Sequence, residues 1–213
     1  MEDSHKKAKI VFFDFDGVIV DTSETFFAIR KLSDPTLTFE KFIGFFTEKT
    51  PDNAAGEAAP ADSALFNQLY GEHLAKQKIS REMIAVIKVL AGKYVLAVVS
   101  SSRSDIIRTY LSTQDILSYF SDILGSDVDT SKSAKIDLIL DKYRLTPSDS
   151  VFVTDTLGDI EQAHHSGVKS IGVTWGFHAK ETLEKGQPKM IVSTPKELFD
   201  SIEHLLEGKL IGL

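Results

Sequence analysis

Cysteine is absent from all 213 residues. That excludes disulfides, thiolate metal ligands and a cysteine nucleophile together, and it fits a cytoplasmic protein. Long apolar runs are missing too. None approaches the roughly 20 residues that a membrane span needs, so no membrane partner is expected. The polar start, Met1 to Lys7, carries no secretory pattern. Positive charge is not in excess: the net charge of −7 offers nucleic acid no electrostatic footprint. No internal repeat is visible, and nothing specifies an oligomeric state. What is present is a hydrophobic fraction of 42%, enough for a packed core. The length suits one α/β domain with an insertion.

Five apolar runs read as buried strands: Ile10 to Phe13, Tyr94 to Val99, Ile123-Leu124, Val151 to Val153 and Ser170 to Thr174, with Val192 in a short sixth. Helical stripes separate them, such as Ile106, Ile107, Tyr110 and Leu111, or Ile136, Ile139, Leu140 and Tyr143. Strands alternating with helices imply a doubly wound, Rossmann-like parallel sheet. Ligands bind such sheets at the C-terminal strand ends, and polar residues gather there: Asp14 and Asp16, Ser100, Asp155, Trp175. The last helix opens at Thr194-Pro195-Lys196-Glu197, a capping Thr with Pro at the first helical position and Glu three residues after the cap.

Residues 22–82 break the alternation. Phe26, Phe27, Ile29 and Leu32 suggest one helix. Phe39, Phe42, Ile43, Phe45 and Phe46 suggest a second, and Leu65, Leu69 and Leu74 a third. Pro51 to Pro60 reads as a loop. The expectation is a small helical cap over 22–82, inserted into an α/β core made of 1–21 and 83–213. Its phenylalanines are read chiefly as the cap's packing core.

Asp14-Phe15-Asp16-Gly17 closes the first strand. At a spacing of two, both carboxylates point the same way from extended backbone. Two crowded like charges need a cation, and a divalent ion is the obvious one. Gly17 permits a tight or left-handed turn beside them.

The stretch Asp14 to Thr22 resembles the first motif of haloacid dehalogenase-like hydrolases, and three further motifs follow in order. Val98-Val99-Ser100 resembles the second, a hydrophobic strand ending in Ser or Thr. Lys132 or Lys135 resembles the third, a Lys opening a helix; the family's common Lys-Pro pair is replaced here by Lys132-Ser133. Val151 to Asp159 resembles the fourth, with Thr154 where many relatives have Gly. The insertion after the first motif is where that family carries a helical cap.

The resemblance implies a Mg²⁺-dependent phosphatase acting on a small phosphorylated metabolite, as phosphoglycolate phosphatases do. It implies Asp14 as nucleophile, forming an aspartyl-phosphate, and Asp16 as general acid and base. The metal set would be Asp14, Asp16 through its carbonyl, Asp155, and Asp159, the last through water or by positioning the Lys. Ser100 would bind a phosphate oxygen, with Ser101 and then Ser102 as further candidates near a helix start. Of the two lysines, Lys132 is chosen, because an active-site lysine belongs at the helix mouth; Lys135 is then expected to be solvated. A phosphomutase and a non-catalytic phosphate-binding module are the alternatives. Asp16 speaks against a dehalogenase, whose halide leaves without a proton.

Other signals are weaker. His164 and His165 lack partners at metal-ligand spacing and read as surface residues. Trp175 to His178 could line a pocket rim or simply pack beside a Gly turn. Arg103 receives no assignment.

Overall fold

The computed structural model describes residues 9–44 and 64–209. Its strands are β1 (Ile10–Phe13), β2 (Val95–Val99), β3 (Asp122–Leu124), β4 (Ser150–Thr154), β5 (Lys169–Val173) and β6 (Met190–Val192). Its helices are α1 (Ser23–Ser33), α2 (Phe39–Gly44), α3 (Ala64–Leu74), α4 (Arg81–Ala91), α5 (Ser104–Thr113), α6 (Lys132–Tyr143), α7 (Leu157–His165), α8 (Lys180–Lys185) and α9 (Pro195–Glu207). The strands form one sheet in the order β3-β2-β1-β4-β5-β6, and every pairing is parallel. β1 is therefore the switch point. From it the chain winds outward through β2 and β3, then returns to lay β4, β5 and β6 on the other side. A crevice opens at such a point, outside the carboxyl ends of the strands.

The two faces follow from the period of two along β1. Val11 and Phe13 join a core cluster with Ile87 of α4, Ile107 of α5 and Ile202 of α9. Ile10 and Phe12 face the other way, against Ile136 of α6 and Ala163 of α7. Each fully buried side chain of this size stabilises by about 1.5–3 kcal/mol relative to exposure. Both faces are covered, which is why β1 is apolar throughout rather than alternating.

Between β1 and β2 the chain forms α1, α2 and α3, all within 22–82, and then α4. No motif or expected element of the sequence covers α4. Ser80 caps it by accepting a hydrogen bond from the Met83 amide, and Met83, Ile87 and Leu90 are buried. Phe42 packs with Leu37 and Phe177 in a separate aromatic cluster, whereas Phe39 is 46% exposed. Phe45, Phe46 and the loop expected at Pro51 to Pro60 lie outside the described residues. α9 begins as expected, with the Thr194 side chain accepting from the Glu197 amide at 3.2 Å. No helix among the described residues is long and apolar enough to cross a membrane.

Candidate active site

Register brings the tips of β1 and β4 level: Phe13 pairs with Val153, and the Asp14 amide donates to the Val153 carbonyl at 2.9 Å. Asp14 is buried, with Oδ1 accepting from the Phe15 amide at 2.7 Å and Oδ2 from Lys132 Nζ at 2.6 Å. Lys132 is the first residue of α6, which starts there because Ser131 caps it. Its Nζ also donates to Asp159 Oδ2 at 2.6 Å. Asp159 lies in the first turn of α7, capped by Thr156, and Thr154 Oγ1 donates to the same Oδ2 at 3.0 Å. Thr154 thus anchors an acid where a glycine could not.

Burial opposes charge on all these groups, and partners decide which keep it. For Lys132, Asp14 and Asp159 overcome burial and hold the ammonium above the ordinary lysine value. Burial pushes Asp159 up, but the charge of Lys132 together with hydrogen bonds from Asp14, Lys132 and Thr156 outweighs it and holds the carboxyl below the usual range. Asp14 is pushed well up by burial; Lys132 opposes this, while Asp159 and Asp155 add to it. Burial pushes Asp155 up to about 7, with the Phe177 amide pulling the other way.

One carboxylate oxygen each from Asp14, Asp155 and Asp159 lies within 4.8 Å of the others. Asp155 Oδ2 accepts from the Phe177 amide at 2.7 Å. Its Oδ1 is buried and has no hydrogen-bond partner among the described residues. A carboxylate clustered with two further acids, with one of its own oxygens orphaned, fits a hard divalent cation. Two glycines keep the backbone tight around Asp155. Gly17 has φ +71°, and a Cβ there would stand 1.9 Å from Asp155 Oδ2; at Gly176 it would stand 2.3 Å away.

Asp16 is held differently. Its Oδ1 accepts from Thr22 Oγ1 at 2.8 Å and from the Tyr70 hydroxyl at 2.5 Å, and its Oδ2 from Ser102 Oγ at 2.6 Å. Burial raises its pKa, while the Ser102, Tyr70 and Thr22 hydroxyls favour the ionised form. Tyr70 is itself pushed well up, by burial and then by Asp16. Asp14 and Asp16 line one cavity of about 240 Å³. Lys132, Asp155, Asp159, Ser101 and Ser102 line it too, and Phe26, Arg30, Phe66 and Phe177 also stand around it.

The model of a family described as haloacid dehalogenase-like hydrolase matches residues 11–173. The chain belongs to that family. Among curated relatives, a phosphoglycolate phosphatase of Synechococcus elongatus is 23% identical over 207 residues, covering 92% of this chain and 98% of the relative. A probable phosphatase, IndB, of Dickeya dadantii is 27% identical, covering 93% of this chain and 95% of the relative. A solved haloacid dehalogenase-like family hydrolase of Streptococcus pneumoniae superposes with TM-score 0.75 at 21% identity, covering 92% of this chain and 99% of that one. That likeness shows the shared fold.

In this haloacid dehalogenase-like hydrolase, the first and fourth motifs and Lys132 converge on one cluster. The metal-type cluster uses the carboxylates of Asp14, Asp155 and Asp159, while the Asp16 carboxylate takes the three hydroxyls. Ser101 and Ser102 reach the cavity wall. Ser100, expected to meet a phosphate oxygen, is fully buried and is not among the residues lining the cavity; its Oγ accepts from the Ser102 amide at 3.0 Å. Lys135, expected to be solvated, is fully buried, because α6 turns that side of its first turn toward the ends of β2 and β3. His164 and His165 are exposed, as expected.

Four contributors were missed or undervalued in the sequence. Tyr70 and Thr22 bind Asp16, and the amide of Phe177 with the bare Gly176 holds Asp155. The only sequence signal for the last pair was a Gly in an aromatic cluster directly after a strand. Trp175 donates its Nε1 hydrogen to the Val18 carbonyl at 3.1 Å. His178 Nδ1 accepts from the Leu157 amide at the start of α7, at 3.0 Å. Arg103 lines the cavity and pairs with Asp105 at 3.1 Å.

Proposed function

We propose that the chain is a Mg²⁺-dependent phosphomonoester hydrolase that takes a small phosphorylated metabolite through an aspartyl-phosphate on Asp14. The observation that carries this reading is the Lys132 ammonium, 2.6 Å from both Asp14 and Asp159, beside the orphaned Asp155 oxygen. Relatives named phosphoglycolate phosphatases and the family match support it. The absence of cysteine fits a cytoplasmic setting.

Asp14, Asp155 and Asp159, with the Asp16 carbonyl, would hold Mg²⁺. Bound there, the ion supplies the positive charge that lets a carboxylate approach an anionic phosphate. An Asp14 carboxylate oxygen then bonds to phosphorus as the ester P–O bond breaks. Asp16, protonated, gives its proton to the departing oxygen. In the second step Asp16 takes a proton from water, the water oxygen bonds to phosphorus, and the bond from phosphorus to Asp14 breaks. Inorganic phosphate leaves and Asp14 is restored. Lys132 steadies negative charge on Asp14 and the phosphoryl oxygens throughout, while Asp159 and Thr154 keep Lys132 aimed. Ser101 and Ser102 meet phosphate oxygens at the cavity wall, and Ser100 shapes their turn. Residues 22–82 act as a cap on the core of 1–21 and 83–213, bringing Tyr70 to Asp16 and Phe26 and Phe66 to the cavity.

The test is release of inorganic phosphate from a panel of metabolite monoesters, phosphoglycolate among them, with Mg²⁺ present. Turnover is expected to stop in excess EDTA and return with added Mg²⁺. Full activity in EDTA would remove the metal from this account. Isomer formation without free phosphate would make the protein a mutase instead.

A further inference from the structure

Lys135 lies one turn after Lys132 on α6 and is fully buried. No carboxylate among the described residues receives its Nζ. It donates instead to the carbonyl of Ser100 at 2.6 Å and to that of Gly125 at 3.3 Å. These residues directly follow β2 and β3, so the ammonium bridges the loops that leave two neighbouring strand tips. Leu or Met would fill the same volume without desolvating a charge.

Further contacts stitch the same two loops together. The Gly125 amide donates to Ser104 Oγ at 2.8 Å, the Ser104 amide to Asp127 Oδ1 at 2.7 Å, and the Ser126 amide to the Ser102 carbonyl at 3.1 Å. A Cβ on Gly125 would stand 2.3 Å from the Ser102 carbonyl oxygen. The loop so fixed carries Ser101 and Ser102 to the cavity, and Ser102 grips Asp16.

We propose that Lys135 is a positioning residue for anion binding: its buried ammonium pins the Ser100 carbonyl, sets the Ser101–Ser102 turn at the cavity wall, and adds a second positive charge behind the phosphoryl site. This rests on the phosphatase reading above. The charged groups that face Lys135 are Lys132 from its own helix, Asp14 after β1, Asp159 on α7, and Asp129 in the loop before α6; β2 and β3 present only carbonyls. Burial first, and Lys132 second, push Lys135 down to about 8. It is therefore charged at pH 7 and largely neutral at pH 9. A bound anion favours the charged form, so phosphate binding above pH 8 draws a proton onto Lys135.

The experiment is calorimetric titration of the Mg²⁺-loaded protein with inorganic phosphate at pH 7.5 and 9, in buffers of different ionisation enthalpy. The wild type is expected to bind about tenfold more weakly at pH 9 and to take up a proton on binding there. Lys135→Met, checked for folding by circular dichroism, should bind about tenfold more weakly than wild type at pH 7.5 and lose the uptake. Lys135→Arg should keep most of the pH 7.5 affinity and hold it to pH 9. Wild-type affinity and proton uptake in Lys135→Met would overturn the assignment. So would a wild type that binds phosphate at pH 9 without proton uptake, whether or not the variants fold. A wild type that binds no phosphate at either pH sinks the phosphatase reading itself, and this inference with it.

Discussion

On one side of the crevice, the tips of β1 and β4 and the start of α7 bury three carboxylates around the single ammonium of Lys132. On the other, the tips of β2 and β3 bury the single ammonium of Lys135 against main-chain carbonyls. The two lysines are the same residue type, one turn apart on one helix. Their neighbours drive them in opposite directions: Lys132 is held above the ordinary value and Lys135 below it. On the acidic side three carboxylates outnumber the one ammonium. On the carbonyl side the ammonium hydrogen-bonds to no carboxylate among the described residues. A phosphate monoester brought between them, together with a divalent ion, would balance both.

Removing an acid from the first side should have the largest effect. Asp14→Asn is expected to lower phosphate release at least about a thousandfold while leaving the far-ultraviolet circular dichroism unchanged, since the substitution preserves shape. Undiminished hydrolysis would show that Asp14 is not the nucleophile.

Removing each cation in turn sharpens the contrast. In metal-free protein, Lys132→Met leaves Asp14 and Asp159 buried without their partner, at a cost of about 3–5 kcal/mol. Lys135→Met takes a donor from the Ser100 carbonyl, at about 1–3 kcal/mol, while the Gly125 carbonyl keeps the Val128 amide at 3.2 Å. Urea unfolding of both variants reads the difference. Equal losses would mean that the two sides are not electrostatically distinct.

The smallest effect is in pH. Burial raises Asp155 from 3.8 to about 7, so the folded apo protein binds more protons than the unfolded chain between those values. Its contribution to stability therefore falls as pH rises from about 4 to 7. Mg²⁺ must displace that proton, so metal affinity should weaken by up to about tenfold per pH unit below 7. Mg²⁺ titrations at pH 5.5, 6.5 and 7.5 measure it; a flat affinity would place Asp155 outside the metal's ligands.

Much of this arrangement was legible in the chain. An apolar run stopped by Asp14 and Asp16 marks a strand tip as a site, and the run before Asp155 marks its neighbour. Lys132 was chosen over Lys135 because a helix mouth faces a strand-end crevice, and the structure sets its Nζ on Asp14. The same logic misplaced Lys135. Helical periodicity tells which side of α6 a residue occupies, not that β2 and β3 would offer that side two carbonyls. Tyr70 was equally hidden. It reads as one aromatic in a helical stretch, and its bond to Asp16 spans 54 residues. The bond from Ser102 to Asp16 spans 86. The Phe177 amide carries no side-chain signature at all, since any residue but proline supplies one.

Local chemistry belongs to the sequence: which runs become buried strands, where the acids stand at their ends, which hydroxyl caps α9, and the family these motifs define. Those features depend on neighbours a few residues away, so spacing and residue type suffice to set them. Tertiary structure alone decided which charge each buried group keeps, which oxygen of Asp155 is left without a hydrogen bond, and that Lys135 faces carbonyls rather than water. Each of those outcomes depends on desolvation and on partners from distant parts of the chain, and only packing brings such partners within hydrogen-bonding distance.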